Sequence, residues 1–235
     1  GEHPETEEKK SRVRAQTHND ISWIDIQDPT RSEMDKLSEK YNFHPLHLDT
    51  ALLKGQPSQV EREEKYIFLV LYVPTHDFTE NKVITNQVSI FLGKNYLITI
   101  HEGSAVEVSK LFRLCKKDKK IREVCFRRSS GYLLYYIIAD LIKDAENQMQ
   151  TISVELDEVE DLVFDLSASG IQKINKLRQK IIRLRRILSL FKKTLEELSP
   201  VINEVVHDNL TRYYGNLGRL IERLRNNIEE ARETA

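Results

Sequence analysis

Residues 210–235 read LTRYYGNLGRLIERLRNNIEEARETA, and this stretch decides the fold of the second half of the chain. Its apolar residues recur at alternating spacings of four and three, the seam of a coiled coil: Leu210, Tyr214, Leu217, Ile221, Leu224 and Ile228. No glycine, proline or capping signal follows the seam. We therefore expect a stalk helix whose apolar stripe is covered by sister chains and which continues into a longer protein.

Two more long helices are predicted before the stalk. Apolar residues keep three-and-four spacing from Leu134 to Leu166 and again from Ile174 to Leu198, with a predicted turn at residues 167–170. Acidic residues crowd the end of the first helix and basic residues the start of the second. Because these clusters flank one turn, the two helices should pair as an antiparallel hairpin whose register the charges set.

The first half of the chain is typical of an α/β domain. Strands are predicted at residues 21–26, 66–73, 85–92 and 96–100, and the second of them is almost wholly apolar, as in a central strand buried on both faces. Helices are predicted after Thr30, where Glu33 completes a capping box, after His44, and at residues 105–117. The expected fold class is α/β: a mixed β-sheet sandwiched by helices, followed by a long antiparallel helical hairpin and a stalk helix.

These elements divide the chain into four predicted parts. Residues 1–18 are polar and are expected to form a disordered leader. Residues 19–128 form the α/β domain, 129–198 the antiparallel long-helix hairpin, and 199–235 the start of the stalk helix, which Pro200 would open.

Composition and motifs limit the classes of function. The net charge of the 235 residues is −1, so no global field points to a nucleic-acid partner. The longest apolar run is far shorter than the ~20 residues of a membrane helix. The sequence has no P-loop, no dinucleotide-binding glycine pattern and no nucleophile elbow, and we predict that it is not an enzyme. Cys115 and Cys125 are expected to be a buried or incidental thiol pair rather than a disulfide or redox switch.

One cluster of possible metal ligands stands near the start of the chain. His44 and His47 are three residues apart and Asp49 follows, a spacing that could hold a metal ion. A metal-dependent hydrolase that uses these three residues is therefore a weak hypothesis. Ordinary surface histidines at the start of a helix are favoured, because no third strong ligand follows at the expected spacing.

Several runs resemble the cytoplasmic domain of the CorA family of magnesium transporters. They are His44-Pro45-Leu46-His47-Leu48, residues 56–61, 66–71, 87–98 and 132–135, and their order and spacing cover most of residues 21–235. The resemblance implies an α/β/α cytoplasmic domain, two antiparallel helices, and a stalk helix that leads into the first membrane span. It also implies a homopentamer around a central pore, held in the membrane by helices that would follow Ala235.

The resemblance further implies a function and a site. The chain would be the regulatory or sensor domain of a magnesium or other divalent-cation channel-type transporter, at the cytoplasmic face of the cell membrane. In such a sensor, Mg²⁺ or another divalent cation binds between subunits and keeps the pore closed. Asp77 matches one acidic position of the sensor, and the position on the first long helix falls at Ala139, next to Asp140. The predicted metal residues are therefore Asp77 and Asp140, while the stalk position of the sensor falls at Tyr213.

Two alternatives stay open from the sequence. The first is a soluble coiled-coil scaffold that binds other proteins. The second is a zinc-transporting branch of the same family.

Overall fold

The computed structural model of the chain describes residues 12–77, 79–103, 105–160 and 168–234. The strands in these ranges are β1 (Arg12–His18), β2 (Ile21–Gln27), β3 (Gln59–Arg62), β4 (Tyr66–Asp77), β5 (Lys82–Gly93) and β6 (Tyr96–His101). They form one sheet in the order β1-β2-β6-β5-β4-β3. Strands β2 and β6 pair in parallel and the other neighbours pair antiparallel, so the sheet is mixed, as predicted.

The helices are α1 (Arg31–Tyr41), α2 (Pro45–Leu52), α3 (Val106–Lys117), α4 (Lys119–Cys125), α5 (Ser130–Glu160), α6 (Ala168–Leu198), α7 (Ile202–Val206) and α8 (Thr211–Thr234). Helix α1 begins with the predicted capping box, in which the Thr30 side chain and the Glu33 side chain satisfy each other's backbone amides.

The sheet has an apolar core on each face. In β4, Ile67 and Leu69 pack into a cluster that includes residues of the long helices. The alternate residues Phe68 and Val70 pack into a second cluster with residues of α1 and α2. All four are fully buried, because successive side chains of a strand point to opposite faces and both faces are covered by helices. The predicted α/β class is confirmed.

Three elements differ from the sequence-based prediction in the first half. Residues 12–18, which we assigned to a disordered leader, form the edge strand β1, which pairs with β2 from Arg12↔Gln27 to His18↔Ile21. The rest of the predicted leader, residues 1–11, lies outside the described residues. Strand β3 and helix α4 were not predicted, because each is short and polar and has no periodic apolar stripe.

The long helices form a three-helix bundle. The α8 seam residues Leu217, Ile221 and Leu224 are at most 1% exposed and belong to the same apolar cluster as residues of α5 and α6. The expectation that sister chains cover this stripe is therefore wrong: the helices of the chain itself cover it. The opposite face of α8 is polar, with Arg219 and Glu222 exposed.

Ion pairs show how the bundle helices run. Arg185 Nε lies 2.5 Å from Glu229 Oε1, and Lys192 Nζ lies 2.9 Å from Glu222 Oε2. As the α6 residue number rises, the α8 residue number falls by the same amount, so α6 and α8 are antiparallel. These pairs are exposed and contribute about 0.2–1 kcal/mol each, so the buried seam supplies most of the stability of the bundle.

Two predicted turns are placed differently in the structure. Residues 168–170, predicted as part of the hairpin turn, already belong to α6, while Ser167 lies outside the described residues. The predicted stalk helix from residue 199 is interrupted, because His207 adopts a left-handed conformation with φ 52° and ends α7. The Asn203 side chain accepts a hydrogen bond from Leu210 N at 2.9 Å, which stabilises this break before α8 begins.

One buried ion pair joins the two long helices of the predicted hairpin. Lys180 on α6 is 3% exposed, and its Nζ lies 2.7 Å from Glu155 Oε2 on α5, which is 28% exposed. Lys180 Nζ also donates to Asn81 Oδ1 at 2.8 Å in the β4–β5 turn. The pair confirms a contact between the acidic and basic ends of the hairpin; the acidic residues Asp161 and Asp165 lie outside the described residues.

The unequal burial of this pair predicts unequal costs of mutation. Glu155→Ala should destabilise the fold by about 3 kcal/mol, because it leaves the buried ammonium of Lys180 without its carboxylate. Lys180→Met should cost less than about 1 kcal/mol, because it leaves a partly solvated carboxylate and keeps the packing of the stem. Urea unfolding of both variants measures the difference. Equal losses for the two would contradict the explanation from burial.

Candidate functional site

The predicted metal residue Asp77 ends β4 in a tight hairpin. Its Oδ1 accepts hydrogen bonds from the backbone amides of Thr79 and Glu80 at 3.0 and 3.3 Å. Its Oδ2 lies 4.0 Å from Nζ of Lys82, the residue opposite it in the register of β4 and β5. The side chain is 26% exposed, so this carboxylate stabilises the turn and still reaches solvent.

The second predicted residue, Asp140, is half-buried on α5 next to an acidic groove. The groove has a volume of about 320 Å³ and lies between the end of β4, α3 and α5. Its lining consists of His76, Val106, Glu107, Lys110, Asp144, Asn147, Gln148 and Thr151. Asp144 follows Asp140 by four residues, so the two carboxylates share one face of α5.

Carboxylates at this groove are held in an environment that disfavours their charge. Burial raises the pKa of Asp140, and the nearby charge of Asp144 raises it further, while Lys110 opposes both effects. Burial likewise raises the pKa of Asp144 and that of Glu107, whose Oε2 accepts a hydrogen bond from Thr75 at 2.8 Å. A bound cation would favour the charged forms of these groups.

The structure does not assemble Asp77 and Asp140 into one ligand set. His76 lines the acidic groove, and Asp77, the next residue of the strand, points to the other face of the sheet. Across the ranges that the structure describes, no three His, Cys, Asp or Glu side chains converge with a geometry that could hold a metal ion. A single chain therefore presents separate carboxylates and no complete cation site in the described residues.

Two residues of the groove were missed by sequence reasoning. Asp144 could have been found, because it lies one helical turn after Asp140 on a helix that the sequence predicts. Glu107 lies in the first turn of α3, far from α5 in sequence, and no local pattern connects it with Asp140.

The cluster predicted for a hydrolase is occupied by protein contacts. The two ring nitrogens of His47 lie 2.8 Å from the Tyr66 hydroxyl and 2.9 Å from Glu61 Oε2. His44 Nδ1 accepts a hydrogen bond from Leu46 N and caps α2, and Asp49 Oδ1 pairs with Arg31 at 2.7 Å. These side chains stabilise α2 and its contact with the sheet. The surface position expected for His47 is wrong, since this residue is 3% exposed.

A buried charged network lies at the ends of β2 and β6. Asp25 is fully buried, and its Oδ1 accepts hydrogen bonds from Thr99 Oγ1 at 2.6 Å and His101 Nε2 at 2.9 Å. Its Oδ2 pairs with Arg14 of β1. His101 Nδ1 lies 2.7 Å from the carbonyl oxygen of Glu102, so both ring nitrogens face acceptors and both carry hydrogens in the charged ring.

The partners within this network outweigh its burial. Burial is the largest single effect and disfavours the charge on Asp25 and on His101, but the hydrogen bonds and opposite charges of their partners together outweigh it. The pKa of Asp25 is therefore lowered and the pKa of His101 is raised. The network fastens the edge strand β1 to β2 and β6, and no sequence pattern predicted it.

Solved structures define the class of the fold. The chain matches the soluble domain of CorA from Methanocaldococcus jannaschii with a TM-score of 0.80 and 24% identity, over 92% of this chain and 84% of that one. It matches the ZntB cytoplasmic domain from Vibrio parahaemolyticus with a TM-score of 0.73 and 16% identity, over 93% of this chain and 84% of that one. The fold is that of the CorA soluble domain.

The sequence places the chain in the corresponding family. The family model of the CorA-like Mg²⁺ transporter protein matches residues 18–235, and the chain belongs to this family. The resemblance stated from the sequence runs is thus confirmed. Within the described residues, no helix combines the length and apolar character that a membrane crossing requires.

Curated relatives give the extent of the match. The chain is 28% identical over 175 residues to the cobalt/magnesium transport protein CorA of Methanocaldococcus jannaschii, covering 74% of this chain and 52% of that protein. It is 24% identical over 196 residues to the cobalt/magnesium transport protein CorA of Thermotoga maritima, covering 82% of this chain and 55% of that protein. It is 26% identical over 172 residues to the magnesium transporter ALR1 of Saccharomyces cerevisiae, covering 71% and 20%. The chain spans about half the length of the two CorA relatives.

Proposed function

We propose that this chain is the cytoplasmic regulatory domain of a channel-type transporter for magnesium or another divalent cation. A cation bound between neighbouring subunits would stabilise the closed assembly, and the chain would have no catalytic role. Membership of the CorA-like family over residues 18–235 is the observation that carries the proposal. It also favours a transporter over the free-standing coiled-coil scaffold. Because the CorA relatives are about twice as long as the match, we propose transport as the activity of a whole transporter and not of this domain alone.

The carboxylates described above support the cation site. Mg²⁺ takes oxygen ligands, keeps several bound waters and is usually held by one or two carboxylates. Separate carboxylates such as Asp77 and Asp140 would therefore suffice when a second subunit adds carboxylates of its own. Burial raises the pKa of Asp140 and of Asp144, and the repulsion between the two carboxylates raises the pKa of Asp140 further. Removing that repulsion with a cation would favour the assembly that binds it.

The proposal extends to assembly and location. We place the domain at the cytoplasmic face of the cell membrane in a homopentamer, with membrane helices outside residues 1–235 and no nucleic-acid partner. The match to the complete CorA magnesium transporter structure from Methanocaldococcus jannaschii supports it, since this chain covers 66% of that one. The number of five subunits is implied by the family resemblance.

Substitution of the two aspartates tests the site. Mg²⁺ should protect the purified chain from limited proteolysis and increase its sedimentation coefficient relative to EDTA. Asp77→Asn and Asp140→Asn should each raise the Mg²⁺ concentration required by at least about tenfold, because each removes a charged oxygen ligand. Asp157→Asn, an exposed carboxylate on the same helix as Asp140, is the matched control and should leave the Mg²⁺ response unchanged.

The outcomes separate the site from the function. If Mg²⁺ acts on the wild type but neither aspartate matters, the cation binds elsewhere and the site assignment is wrong. If no divalent cation changes proteolysis or sedimentation at any protein concentration, the regulatory proposal fails for this chain. A response to Zn²⁺ at concentrations where Mg²⁺ has none would instead support the zinc-transporting alternative.

A further inference from the structure

Two thiols meet in the corner between α3 and α4. Cys115 lies in the last turn of α3 and Cys125 ends α4, and both are 0% exposed. Their sulfur atoms are 3.2 Å apart. Asp118 separates the two helices, and its carboxylate caps α4 by accepting hydrogen bonds from the amides of Lys120 and Ile121 at 2.8 and 3.3 Å. This cap fixes the corner that brings the cysteines together.

The spacing of the sulfur atoms is close to that of a covalent bond. A disulfide requires sulfur atoms about 2.05 Å apart, so an approach of roughly 1 Å joins these two. Small χ rotations of the two cysteine side chains would bring the sulfur atoms this much closer, and the backbone of the two helices would keep its course. The thiols are free and buried, as the sequence predicts, but their spacing argues against an incidental pair. We propose that Cys115 and Cys125 are a reversible modification site, at which a peroxide-class oxidant forms an intramolecular disulfide that fastens α4 to α3.

The two thiols have distinct chemical roles. Their shared hydrogen bond lowers the pKa of Cys115, against the effect of burial, and with burial it raises the pKa of Cys125. The negative charge of Asp140 disfavours the thiolate of Cys115 and the positive charge of Arg122 favours it, so the two charges oppose each other. Cys115 is therefore the nucleophile that meets the oxidant first, and Cys125 is the resolving thiol.

Burial selects a small oxidant. Both thiols belong to an apolar cluster, and Cys125 is part of α4, a helix of seven residues whose side chains Lys119, Lys120 and Val124 are exposed. Local opening of so short a helix admits a molecule of the size of hydrogen peroxide, whereas a bulky disulfide such as oxidised glutathione needs much more space. This access argument predicts a preference between the two oxidants.

The reaction balances with one peroxide. The Cys115 thiolate attacks one peroxide oxygen, the O–O bond breaks, and the leaving hydroxide takes the proton lost by Cys115 to form water. The Cys125 sulfur then attacks the sulfenic acid of Cys115. The S–S bond forms, the S–O bond breaks, and the hydroxide leaves with the proton of Cys125 as a second water. The thiols lose two electrons in total, and the peroxide gains them.

Intact mass and thiol alkylation test the proposal on the wild-type chain. After treatment with hydrogen peroxide, the chain should lose the mass of two hydrogen atoms and both alkylatable thiols, and dithiothreitol should restore both. Peptide mapping should find residue 115 linked to residue 125. Oxidised glutathione at the same concentration should react more slowly.

Single variants identify the roles of the cysteines. Cys125→Ser should stop at a sulfenic acid on Cys115, which dimedone traps, while Cys115→Ser should show much less trapping. The wild-type measurement holds even if a variant folds poorly, which circular dichroism checks. Thiols that stay alkylatable in peroxide while the chain remains folded, oxidation of Cys115 to a sulfinic acid without the link, or a disulfide between chains would each overturn the proposal.

Discussion

Asp25→Ala is expected to destabilise the folded chain by about 3–5 kcal/mol, among the largest effects of any single substitution in it. The carboxylate is fully buried, accepts hydrogen bonds from Thr99 and His101, and forms an ion pair with Arg14. Removing it leaves the buried ring of His101 without its counter-charge, and the edge strand β1 loses the partner of Arg14. The loss exceeds that of an exposed ion pair, because the stranded groups cannot regain water without opening the sheet.

The same network predicts how stability depends on pH. The pKa of Asp25 is lowered from its ordinary value of 3.8, so its contribution is complete above that value and is lost as pH falls through the lowered pKa. The pKa of His101 is raised from 6.5, so its contribution is complete below 6.5 and is lost as pH rises through the raised pKa. Both contributions are therefore complete between about pH 3.8 and pH 6.5.

Urea unfolding at several pH values measures both effects. Asp35→Ala, at an exposed aspartate on α1, is the matched control and should change the unfolding free energy by less than about 0.5 kcal/mol. In His101→Gln, the unfolding free energy should fall less as the pH rises above 6.5, because glutamine does not titrate. An Asp25→Ala chain as stable as the Asp35→Ala control would show that the network adds no net stability.

Leu217→Ala on α8 is expected to cost about 2–5 kcal/mol in the isolated chain. Leu217 is 0% exposed in a cluster shared with α5 and α6, so truncation leaves a cavity that its neighbours cannot fill completely. Because the chain covers this residue by itself, the loss should be present in the monomer. The unfolding midpoint of the wild type should also be independent of protein concentration.

The matched control for this prediction lies on the other face of the same helix. Arg219→Ala removes an exposed side chain and should change stability by less than about 0.5 kcal/mol. Chemical unfolding followed by circular dichroism at widely separated protein concentrations distinguishes the alternatives. A midpoint that rises with concentration would mean that a second chain covers the seam after all.

Periodicity predicted the regular parts of this fold. The strand at residues 66–73 and the capping box at Thr30 are found as expected, because an apolar run and a cap act through neighbouring residues. The α8 seam was identified correctly, but its partner was not. A stripe spaced for helix packing does not state whether the covering helices come from the same chain, and the break at His207, which orients α8, has no strong sequence signal.

The surroundings of the candidate site could be predicted only in part, for a physical reason. Asp77 and Asp140 came from a family resemblance, and their role as cation ligands stays a prediction. The neighbours that shift the pKa of Asp140 include Lys110, which is thirty positions earlier in sequence on another helix. The Asp25 network likewise could not be predicted from the sequence, because it depends on the register in which β1, β2 and β6 pair.

The close approach at Gly131 fixes the start of α8 against α5. A Cβ atom on Gly131 would lie 2.7 Å from Leu210 Cδ1, and the Tyr214 hydroxyl donates to the Gly131 carbonyl at 2.9 Å. This contact lies at the base of a 24-residue helix about 36 Å long, whose apolar residues are buried with those of α5 and α6 as far as Ile228. A side chain at position 131 would crowd Leu210, so the glycine permits the close packing of α5 with the start of α8.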